Sequence, residues 1–141
     1  MAIGGGMRLY VPANLPTAPT SRALFVVQGG PLFLESIELR YEVLASIATT
    51  ITFRKIKAGT TALANAAASA TVIELQAVGI DATQVAGITR ALTLLTTTAG
   101  VSARQFVDGD VLAVSFGASA ATALAGLQIT ATFRRRAGAS V

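Results

Sequence analysis

From residue 127 to residue 134 the chain alternates without a break. Leu127, Ile129, Ala131 and Phe133 share one parity; Gln128, Thr130, Thr132 and Arg134 share the other. A strand puts these sets on opposite faces, and a helix cannot separate them. Residues 32–44 carry the same signature: Ile37, Leu39, Tyr41 and Val43 oppose Glu38, Arg40 and Glu42. Strands with one apolar face must bury it against a second layer.

The alternation also decides how to read an ambiguous stretch. Residues 111–133 run 23 positions without a charge and end at Arg134, Arg135 and Arg136. Length and basic flank imitate a membrane span. Gln128 lies inside it, however, and the Gly-, Ala- and Ser-rich residues 117–126 read as a loop. Two strands, 111–116 and 127–134, are expected here, and no membrane segment.

Further strands are predicted at residues 23–27, 47–56, 71–78 and 88–98. Turns fall at Gln28-Gly29-Gly30-Pro31 and Val107-Asp108-Gly109-Asp110, with loops at 57–69 and 79–87. Thr-rich residues 88–98 favour strand over helix. The expected fold is all-β: a single jelly-roll-like β-sandwich of seven or eight strands with an extended N-terminal arm. The arm takes residues 1–21, the sandwich 22–136, and a short tail 137–141.

The arm is punctuated by Pro12, Pro16 and Pro19, which hold the backbone extended. It nevertheless carries Met7, Leu9, Tyr10, Val11 and Leu15, more apolar bulk than a solvated tail requires. These five are the expected partner contacts. The residues preceding the prolines do not read as a signal peptide.

Composition narrows the chemistry. Charged residues make up 13 % of the 141, about half the usual quarter. Such a weakly charged surface points to partial cover by neighbours. Neither Cys nor His is present, which removes His- or Cys-based zinc sites, Ser-His and Cys-His nucleophiles and His acid–base catalysis. Asp108 and Asp110 supply too few oxygens for calcium and read as turn residues. Glu35, Glu38 and Glu42 read as a charged strand face, not as a glycosidase pair. No glycine run fits a phosphate loop. The expectation is no enzyme, cofactor, metal or small-molecule substrate.

Net charge is +4. The basic residues gather as Arg54, Lys55 and Lys57 and as Arg134, Arg135 and Arg136, the latter a candidate contact for an acidic partner. Nucleic acid is the rival partner. It is disfavoured because Phe53 and Phe133 alternate to the face opposite their neighbouring arginines.

Residues 23–31, Ala-Leu-Phe-Val-Val-Gln-Gly-Gly-Pro, followed by Leu32-Phe33-Leu34-Glu35-Ser36-Ile37, resemble the opening strands of small virion proteins of tailed bacteriophages. The Thr-rich residues 47–53, the stretch 60–67 and Val85-Ala86-Gly87-Ile88 extend the likeness across most of residues 22–134. The resemblance implies a capsid decoration, or cement, protein with a jelly-roll-like sandwich, made in the bacterial host and placed on the capsid exterior. It further implies a homotrimer that binds the major capsid protein, with residues 7–20 gripping the capsid. The alternative is a tail, baseplate or fibre-associated sandwich that binds a host receptor or glycan. Arg134, Arg135 and Arg136 are not a feature of that family.

Overall fold

The structure, a computed structural model, describes residues 7–17, 21–43, 50–60, 69–78, 80–81, 87–116 and 125–135. The long strands are β1 (Met7–Thr17), β2 (Ser21–Val26), β3 (Leu32–Arg40) and β4 (Thr50–Ile56). Short strands follow: β5 (Val72–Glu74), β6 (Gln76–Val78), β7 (Ile80–Asp81), β8 (Arg90–Ala91) and β9 (Thr93–Leu94). Helix α1 (Thr98–Ala103) precedes β10 (Gln105–Phe106), β11 (Val111–Ser115) and β12 (Ala125–Arg135).

The pairing is nested and antiparallel. The first strand pairs with the last, β1 with β12. Moving inward, β2 pairs with β11, β3 with β10 and β4 with β5. Strand β12 also pairs with β3, and β11 with β4. One sheet therefore runs β1-β12-β3 and closes with β10 and β8 on the same edge of β3. The other runs β2-β11-β4 and closes with β5 and β7. This is a jelly-roll-like sandwich, a long hairpin folded over on itself, with the alternating strands β3 and β12 side by side in one sheet.

The apolar parities meet between the sheets. Leu127, Ile129, Ala131 and Phe133 are buried, as are Leu34, Ile37 and Leu39 on β3 and Tyr41 just after it. The buried parity of β3 changes from even to odd between Leu34 and Ile37. A bulge against Thr132 and Phe133 absorbs the extra residue there and leaves Glu35 without a β12 partner. From the second sheet, Ile51, Phe53, Leu112 and Val114 complete the core. The Phe106 and Phe133 rings pack edge to face at 5.3 Å, and Phe25 lies 5.6 Å from Phe133. Burying each such side chain contributes about 1.5–3 kcal/mol.

Three expectations change. The arm residues 7–17 are extended but are not separate from the sandwich, because they form its edge strand β1. Val11 and Ala13 pack on the core, and Leu15 is buried in it. The predicted strand 71–78 bends at Leu75, whose N–H bonds to Phe53 O, and passes from β4 to β9. The predicted strand 88–98 yields only β8 and β9 before α1 begins. Strand β3 offers one edge there, and β8 and β10 share it, so neither can be long.

The uncharged stretch 111–133 divides into β11 and β12. Among the described residues, no helix is long and apolar enough to cross a membrane. Residues 61–68 and 117–124, within the expected loops at 57–69 and 117–126, lie outside the described residues.

Candidate partner-contact surface

Two sequence candidates from opposite ends of the chain come together on β1 and β12. Met7 pairs with Arg135, Arg8 with Arg134, Leu9 with Phe133 and Tyr10 with Thr132. The predicted apolar and basic contacts thus meet at one sheet edge, Met7 and Leu9 on the face of Arg135 and Tyr10 on the face of Arg8 and Arg134. Arg136 lies outside the described residues.

The five arm residues do not share a role. Met7, Leu9 and Tyr10 are 73 %, 41 % and 62 % exposed, which leaves them available to a partner. Val11 is half-buried against the core and Leu15 is fully inside it. Alternation explains the split. Val11, Ala13 and Leu15 lie on the inward parity, and Tyr10 on the outward one. Met7 and Leu9 share the inward parity yet stay exposed at the start of the strand, beside Phe133 and Arg135.

On the outward face, the Glu35 carboxylate joins three strands. Arg8 Nε donates to Oε1 at 2.8 Å, and Arg134 Nε donates to Oε2 at 2.8 Å. Arg134 Nη2 also reaches Oε2. The bond from Arg8, then that from Arg134 and the charge of both, hold the Glu35 carboxyl below the usual carboxylate range against an opposing desolvation. Arg104, between α1 and β10, secures the same bulge from behind. It donates to the carbonyls of Leu34 and Glu35 at 3.0 and 3.2 Å and stacks 4.8 Å from the centre of the Phe33 ring.

Beyond this cluster the β1 and β12 rows of the outer face are uncharged. The register sets Tyr10, Pro12 and Asn14 against Thr132, Thr130 and Gln128. Ser36 and Glu38 continue the same rows on β3, and Arg40 and Glu42 pair at 2.6 Å farther along.

No family model matches the chain, and neither a curated protein nor a solved structure matches it.

The other basic cluster disperses. Arg54 faces outward and pairs with Glu74 at 3.4 Å. Lys57 is exposed after β4. Lys55 is 5 % exposed, on the parity of Ile51 and Phe53. Sequence reading grouped these three by proximity. Counting parity from Ile51 and Phe53 would have placed Lys55 on the apolar face.

The turn residues behave as expected. Asp108 accepts the Gly30 N–H at 2.6 Å. Asp110 accepts from Ala58 N and Val107 N, both at 2.9 Å. These carboxylates satisfy backbone donors and hold three loops together.

Proposed function

We propose that the protein is a structural component of a tailed-bacteriophage virion that decorates and cements the capsid exterior, binding the major capsid protein as an oligomer, a trimer by preference. The observation that supports this reading is the β1–β12 juxtaposition, which sets exposed Met7 and Leu9 beside Arg135 on one face of the sheet edge and Tyr10 beside Arg8 on the other. The low charge of the chain and the resemblance of residues 22–134 to virion proteins support it as well. The grip is assigned to an edge strand and its side chains, not to a free arm.

A second reading has one observation in its favour. Tyr10 lies on a face with Asn14, Gln128 and Thr130, side chains suited to stacking on a sugar and bonding its hydroxyls. That arrangement would serve a tail or fibre protein that binds a glycan.

Co-sedimentation with capsid shells stripped of their decoration tests the first reading. Saturable binding that is lost in a Met7→Ser, Leu9→Ser, Tyr10→Ala triple variant is expected, together with a trimer mass in solution. A monomer that does not sediment with shells, or specific glycan-array binding that Tyr10→Ala abolishes, would overturn it.

A further inference from the structure

Lys55 is the least expected residue of the interior. It belongs to the core face of β4, where Ile51 and Phe53 precede it, and its ammonium reaches across the sandwich to β10. There Nζ donates to Gln105 O at 2.9 Å and lies 5.5 Å from the centre of the Phe106 ring. An ammonium has three donors. One bond is described, so two of its donors have no partner among the described residues.

The nearby acid does not make up the deficit. Asp110 attracts Lys55 through space, but its two oxygens already accept backbone N–H groups of Ala58 and Val107. Burial outweighs that attraction and lowers the Lys55 pKa from the ordinary lysine value.

Lys55 lines a cleft of about 370 Å³ at the end of β4, beside Lys57, Ser102, Gln105 and Asp110. This lining holds two cations, one anion and a hydroxyl, a net charge of +1 from the residues just named. It is short of acceptors and rich in donors.

We propose that this cleft is a binding site for a single carboxylate group, held by the ammonium groups of Lys55 and Lys57 and the hydroxyl of Ser102. The charge balance fits a monoanion better than a doubly charged phosphate, which Asp110 would repel. The carboxylate supplies the acceptors that Lys55 lacks and restores charge neutrality in a partly buried space. The site is independent of the surface on β1 and β12, so capsid binding and carboxylate binding fail separately.

Nuclear magnetic resonance of the Lys55 side chain in the full-length protein tests this. Sodium acetate is the free-carboxylate probe, a blocked glutamyl peptide is the protein-borne one, and sodium chloride at equal ionic strength is the reference. Saturable movement of the Lys55 signal with acetate or peptide, and an upward shift of its pKa by the bound probe, are expected. Tighter saturation by the peptide assigns the carboxylate to a protein partner; tighter saturation by acetate assigns it to a small molecule. Binding should weaken several-fold in Lys57→Gln and in Ser102→Ala, and weaken as pH rises through the Lys55 pKa.

Lys55→Met keeps the stem and removes the buried charge, so it should fold and lose the response. The proposal is overturned if neither probe saturates, if chloride reproduces the shift, or if Lys55→Met still binds acetate by its thermal shift.

Discussion

Arg8 and Arg134 are cross-strand neighbours on β1 and β12, and both donate to the carboxylate of Glu35 on β3. Two adjacent arginines repel unless an anion lies between them. The bulge in β3 supplies it, because the extra residue brings Glu35 to the side of the sheet where both guanidinium groups end. The Glu35 side chain is only 15 % exposed, whereas Arg8 is 57 % exposed. Glu35→Gln should therefore destabilise by about 1–3 kcal/mol, since it leaves arginines without a counter-charge. Arg8→Ala, at an exposed and solvent-screened side chain, should cost clearly less. Urea midpoints measure both, and equal effects would contradict the assignment of Glu35 as the hub.

The same carboxylate sets an acid limit. The folded pKa of Glu35 is depressed, so its contribution is complete above the unfolded value, about 4.3, and disappears as pH falls through the folded value. The stability gap between wild type and Glu35→Gln should be full at pH 6 and should shrink below pH 4. Lys55 acts at the other end of the scale. Its folded pKa is lowered by burial, so its proton opposes folding, and stability from this group rises as pH climbs towards the unfolded value, about 10.4. Lys55→Met should flatten the alkaline rise. Equilibrium unfolding across the pH range checks both signs.

Gly109 is constrained by the turn that positions Asp108 and Asp110. Its φ is +90°, and an added Cβ would fall 2.8 Å from the Ala58 Cβ. Gly109→Ala should lower stability by about 1–3 kcal/mol, from the strained backbone and the contact together. Gly59→Ala is a useful comparison. Its φ is +78°, yet no described residue lies within 4 Å of an added Cβ, so it reports the backbone cost. Calorimetric midpoints should place Gly109→Ala below Gly59→Ala.

Much of the fold follows from parity. The alternation in β3 and β12 places Ile37, Leu39, Ile129 and Phe133 inside, and they are inside. Residues 7–17 look like a separate arm because prolines interrupt them and because the strand they pair with comes from the other end of the chain. No local pattern announces a partner that distant. The Glu35 cluster is hidden for a related reason: its geometry depends on a bulge, which shifts register by one residue and moves a side chain to a new set of neighbours. Lys55 is different. Its parity was readable, and grouping by charge obscured it.

The edge position of β1 gives its prolines a structural role. The register to β12 runs unbroken through Pro12, which has no N–H to donate. In an antiparallel ladder, alternate residues turn both backbone groups towards the partner strand. The odd-numbered residues of β1 therefore bond to β12, and the even set, with Pro12 and Pro16, points to the edge that no described strand covers. Prolines at these positions remove donors that a second chain would need to add a strand. Contacts through this edge must accordingly use side chains such as Tyr10 and Leu9. Pro12→Val restores one donor in the middle of the edge, and a net hydrogen bond of about 1 kcal/mol corresponds to roughly five-fold tighter strand-to-strand association. Light scattering over a concentration series should show a larger rise in mass for Pro12→Val than for the wild type. An identical mass curve would mean that this edge is guarded by something other than its prolines.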